Sequence, residues 1–66
     1  MTELSKRQRD VLIALAETGD SDKLLGRRLG VASTTVKIHL REACAKVGAK
    51  NRTQAAIWAI RNQLAA

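Results

Sequence analysis

The chain has no proline, no phenylalanine and no tyrosine, and it holds one tryptophan, one cysteine and one histidine. Each shortage removes a class of explanation. Without Phe or Tyr, stacking of bases on aromatic side chains, the usual device for holding single strands or RNA, is largely unavailable. A lone Cys excludes an internal disulfide framework, and one Cys with one His cannot build a zinc site. No apolar run approaches the roughly 20 residues that cross a bilayer, and no charged-then-apolar leader is present, so a cytoplasmic protein with no membrane partner is expected. There is no nucleophile–base pair, no paired carboxylate set and no phosphate loop, so neither an enzyme nor a cofactor is called for. The missing prolines and the lack of any period-two apolar alternation leave an all-α fold as the expectation.

Sixty-six residues make one small domain, expected to span 1–66. A chain of this size buries only about 60% of the surface it exposes when unfolded, so a cavity able to enclose a substrate would consume too much of its core. The charge is more informative. Twelve Lys and Arg oppose six Asp and Glu, for a net charge of +6. Up to Asp22 there are three basic and five acidic residues; from Lys23 onward there are nine basic residues and one acid, Glu42. Folded together, that basic block makes a positive field suited to a polyanion. Double-stranded DNA, read by hydrogen bonds rather than stacking, fits best.

Four helices are legible. The first starts at Ser5, which with Gln8 has the form of a capping box, and stops at Gly19. Its buried stripe is expected at Val11, Leu12, Leu15 and Ala16, with Asp10 and Glu17 outside and the preceding residues from Met1 to Leu4 loose or loosely docked. The second runs from Asp22 to Leu29, with Ser21 as N-cap and Gly30 past its end. Its apolar side is expected at Leu24, Leu25 and Leu29 and its charged side at Lys23, Arg27 and Arg28. Gly26 faces a crossing point. Gly30-Val31-Ala32 then forms a three-residue turn into a third helix, Ser33 to Gly48. Two helices joined by a short Gly-containing turn, the second with a basic outer face, have the helix-turn-helix form.

At 100° per residue the third helix divides into two faces. Val36, Leu40, Ala43, Cys44 and Val47 form a core-facing stripe, which makes Cys44 a small buried hydrophobe. Thr34, Lys37, Ile38, Arg41 and Ala45 lie opposite, and His39 sits at the boundary with Thr35, Glu42 and Lys46. An outward Ile between a Lys and an Arg suits the major groove, where cations meet guanine acceptors or phosphates and an apolar group meets a thymine methyl. The plainer alternative is a solvated basic face with one exposed Ile. The fourth helix opens on Asn51 with Gln54, a second capping-box pattern. Ala55, Ala56, Ile57, Trp58, Ala59, Ile60 and Leu64 then spread apolar side chains over roughly 200°, against the roughly 100° one buried face needs. Ala55 and Ala59 can serve the core, and Ile57, Ile60 and Leu64 then want another partner. The preferred reading is a homodimer seam; a greasy final helix on a three-helix core is the alternative.

Two blocks carry a resemblance. Thr35-Val36-Lys37-Ile38-His39-Leu40, followed by Lys46-Val47-Gly48-Ala49-Lys50-Asn51-Arg52-Thr53-Gln54-Ala55-Ala56, resembles the LuxR/GerE-type DNA-binding domain of bacterial response regulators and quorum-sensing regulators. Leu4-Ser5 with Arg7, and Val11-Leu12, match the family's opening block, so the likeness runs from Leu4 to Leu64. The resemblance implies a four-helix module with the third helix in the major groove and the fourth pairing two domains on DNA. It places base contacts on Lys37, Ile38 and Arg41, and phosphate contacts near Lys23, Thr34, Thr35, Lys46 and Arg52. There are departures: Gln8 stands where the family usually has Glu, Leu24 breaks a capping box, Ala32 replaces a capping Ser and Gly26 replaces an Ala. Capping of the third helix must then shift to Ser33 or be lost, a difference of about 1 kcal/mol. The expected function is sequence-specific binding of double-stranded DNA by the output domain of a transcription regulator. The alternative is a protein-interaction module docking on RNA polymerase or another regulator through its last helix.

Overall fold

The first two helices begin where a side chain can receive a free amide. Ser5 Oγ accepts from the Gln8 amide at 3.1 Å and Gln8 Oε1 accepts from the Ser5 amide at 3.0 Å, so both halves of that capping box form. Ser21 Oγ accepts from the Leu24 amide at 3.4 Å, a one-sided cap, as Leu24 has nothing to return. The structure is a computed structural model and describes residues 3–64. Its helices are α1 (Lys6–Thr18), α2 (Asp22–Leu29), α3 (Ser33–Val47) and α4 (Arg52–Arg61). No strand occurs among the described residues. Gly19, Gly30 and Gly48 close the first three helices at φ of 69°, 73° and 76°, a left-handed conformation that glycine adopts without strain.

The core is built by the predicted periodicity. Val11, Leu12 and Leu15 of α1, Leu25 of α2, Val36, Leu40 and Ala43 of α3, and Ala55 and Ala59 of α4 are buried together. Backbones of α1 and α3 each pack against all three other helices, whereas α2 and α4 do not pack on one another. α3 is thus wedged between α1, α2 and α4 along one side, with its opposite side open.

Several expectations need correction. Leu24 is 45% exposed rather than part of the α2 core side, because one turn of helix brings only Leu25 and Leu29 (four apart) toward α3. Ala14, not expected in the α1 stripe, is buried, and Ala16, expected there, is half-buried. Cys44 is half-buried, not enclosed. At α4 the box is half formed. Asn51 Oδ1 accepts from the Gln54 amide at 2.9 Å, but Gln54 Oε1 accepts from the Lys50 amide at 2.7 Å, one residue before the cap. The α3 cap is lost: Ala32 stands at the N-cap in extended conformation with no side-chain hydrogen bond, and Ser33 does not replace it.

Leu64 lies on the Ile57 and Ile60 stripe only if the helix continues, and it stops at Arg61. Gln63 turns left-handed at φ 61° and the Leu64 amide donates to Ala59 O at 2.9 Å, returning Leu64, half-buried, to the monomer core. At the other end, the expected looseness of Met1 and Thr2 falls outside the described residues, while Leu4 packs half-buried on the core.

Candidate nucleic-acid interface

The turn between α2 and α3 is the first element of the site. The Val31 amide donates to Gly26 O at 2.9 Å, folding the chain back over the end of α2. A Cβ at Gly26 would lie 2.6 Å from Val31 O, so the turn approaches α2 more closely than any other residue type allows. Gly26 therefore faces the turn backbone rather than a helix crossing, and its place in the pattern acquires a physical reason.

That turn delivers α3 with its inner side sealed. Val36 and Ala43 have no accessible surface and Leu40 has 7%, while Ile38 is 55% exposed. Lys37, Arg41, Thr34 and Ala45 are exposed beside it and Thr35 is half-buried. The wheel's two faces are the two faces found, except that Cys44 and Val47, expected in the inner stripe, are half-buried. Among the described residues no ion pair engages Lys37 or Arg41. Their charges are left to the surroundings. Lys23 is exposed on the first turn of α2.

The expected phosphate-contacting residues are placed differently from one another. Lys46 Nζ donates to Gln8 Oε1 at 2.8 Å. Arg52 is held more firmly: Nη1 donates to Asp22 Oδ1 at 3.1 Å and Nη2 to Asp20 O at 2.7 Å. Arg28 adds a looser contact to Asp20 Oδ2 at 3.7 Å. Asp20 and Asp22 are in this way each drawn against a cation of the basic block.

Sequence reasoning missed two features. Gln8 is 6% exposed and its amide joins α1 to α3, accepting from Ser5 and Lys46 and donating from Nε2 to Glu42 Oε1 at 3.4 Å. A signal existed, since Gln8 lies three, four and seven residues before Val11, Leu12 and Leu15 and so shares their stripe. The Arg52–Asp22 contact had none, its partners lying 30 positions apart. His39 is half-buried, and its Nδ1, buried without a hydrogen-bond partner, lies 3.8 Å from Glu42 Oε1. Burial pushes the Cys44 thiol above its ordinary pKa, with the nearby Arg52 charge pulling the other way.

On α4 the buried alanines leave Ile57 44% and Ile60 52% exposed. An open groove of about 340 Å³ beside them is lined by Val47, Gly48, Ala49, Gln54, Ile57, Trp58 and Arg61. No helix among the described residues is long and apolar enough to cross a membrane.

A tight Gly-dependent turn and a buttressed second helix with an open cationic face define a helix-turn-helix DNA-binding domain. The family model for bacterial regulatory proteins of the luxR family (GerE) matches residues 2–59, and the chain belongs to that family. It is 48% identical over 54 residues to the putative HTH-type transcriptional regulator YhjB of Escherichia coli, covering 82% of this chain and 26% of that protein. The nitrate/nitrite response regulator protein NarL of Escherichia coli is 36% identical over 58 residues, or 88% of this chain and 26% of its own. The transcriptional regulatory protein LiaR of Bacillus subtilis is 39% identical over 61 residues, or 92% and 28%. The chain thus spans about a quarter of the length of these curated relatives. It is a non-enzymatic DNA-binding domain of LuxR-family transcription regulators.

Proposed function

We propose that this chain, acting as one unit, is the output domain of a cytoplasmic bacterial transcription regulator that reads operator half-sites with α3. The observation that carries the reading is an apolar side chain, Ile38, 55% exposed between two cations on a helix whose reverse side is sealed. Arg41 forks onto guanine O6 and N7, Lys37 reaches an acceptor one turn earlier, and Ile38 meets a thymine methyl. Lys23, Thr34, Thr35 and Lys46 set register on phosphates, aided by the uncapped amides at the start of α3. Arg52, expected on a phosphate, already donates to Asp22 and Asp20, which supports a part in holding α4 in place ahead of a phosphate contact.

Two copies pair through α4, and Ile57 and Ile60, the exposed apolar residues of that helix, support this seam; Leu64 borders it. A single helix buries little area, so DNA holds the pair together by presenting two half-sites. An apolar α4 face also suits RNA polymerase, the second partner this surface fits. Selection of bound sites from random duplex at fixed salt tests the function. An inverted repeat is expected. Recovery of no site, or no duplex affinity even at low ionic strength, would overturn it.

A further inference from the structure

Glu42 is the one acid in the chain from Lys23 onward, and it stands on the DNA-facing helix. It follows Ile38 by four residues and is therefore its neighbour along the helix surface, one position past Arg41. Its side chain is 54% exposed, yet it is not loose. The buried Gln8 amide, itself fixed by Ser5 and Lys46, donates to Oε1 at 3.4 Å, and His39 Nδ1 lies 3.8 Å from that oxygen. Both contacts fall on Oε1, and a carboxylate has a second oxygen to offer. Against phosphates such a group is repelled, a cost that is offset where its second oxygen meets a hydrogen-bond donor.

In the major groove the base donors are the amino groups of cytosine and adenine. Adenine N6 stands beside the N7 acceptor of its own base, which opposes a carboxylate's second oxygen; cytosine N4 is flanked on its own base by C5–H instead. We propose that Glu42 is a fourth base-reading residue, accepting from the N4 amino group of a cytosine in a base pair adjacent to the one met by Ile38. The proposal rests on α3 being the reading helix.

The experiment replaces each base pair of the selected site in turn and compares the intact chain with Glu42→Gln and Glu42→Ala. The unaltered protein is expected to favour cytosine at one position by about tenfold, as one good side chain–base pairing provides. Glu42→Gln should move that preference to adenine, because an amide forks onto N6 and N7, and Glu42→Ala should abolish it, with other positions unchanged. Thermal unfolding of Glu42→Gln should match the parent, since a Gln oxygen still accepts from Gln8. Uniformly tighter binding of all duplexes by Glu42→Gln, or a cytosine preference that survives it, would overturn the proposal. Failure of the unaltered chain to select any site would instead overturn the assignment of α3, taking this proposal with it.

Discussion

Arg52 and Asp22, the first residues of α4 and α2, meet through Nη1 and Oδ1 at 3.1 Å, although the two helices do not otherwise pack together. The guanidinium also reaches the Asp20 carbonyl, so it spans the start of the helix-turn-helix from a helix outside it. Arg52→Ala should therefore destabilise the domain by about 1–2 kcal/mol, the scale of a charge-assisted hydrogen bond at a half-exposed site. In a domain this small that lowers Tm by roughly 4–8 °C per kcal/mol. The salt dependence of DNA binding should keep its slope. A slope reduced by about one would show that Arg52 touches a phosphate instead.

Ala32 has the extended backbone of an N-cap (φ −68°, ψ 151°) and no side chain with which to cap. Ala32→Ser should supply the missing acceptor and stabilise by about 1 kcal/mol in denaturant titration. An unchanged midpoint would mean that water already satisfies those amides fully.

Gly26→Ala tests the turn. In an open helix the change would gain about 1 kcal/mol of propensity. Here the new Cβ meets a backbone carbonyl at 2.6 Å, which cannot rotate aside, so overpacking of about 1–3 kcal/mol should outweigh the gain. A stabilised variant would show that the turn slides freely on α2.

Arg41 and Lys46 separate specificity from affinity. Arg41→Ala should lose about 1–3 kcal/mol of discrimination at one base pair of the selected site while random duplex binding falls less. Equal losses on both would reduce Arg41 to a phosphate contact. Lys46→Ala should weaken every sequence alike and flatten the salt slope. Because Lys46 also donates to Gln8, its unfolding midpoint should be measured alongside.

Much of the fold was legible because its rules are local. A Ser followed three residues later by Gln at Ser5, and glycines at 19, 30 and 48, mark ends through hydrogen bonds and dihedral preferences within a turn of chain. The periodicity of α3 separated Val36 and Leu40 from Ile38 and Arg41 because the inner and outer sides of one helix are set by 3.6 residues per turn. Leu24 and Leu64 were misread where that local rule stops applying. An eight-residue helix turns few side chains inward, and the wheel has no meaning after Arg61.

Spacing and charge order in the chain by themselves determined the four helices, the sealed and open sides of α3 and its cationic character, since these depend on near neighbours and on counting. The closeness of the turn to Gly26, the enclosure of Gln8 with Glu42 and Lys46, and the capture of Arg52 by Asp22 were decided only by tertiary structure. Those contacts join atoms 5, 34, 38 and 30 residues apart, and which distant groups meet depends on how the helices pack, a quantity no local pattern contains.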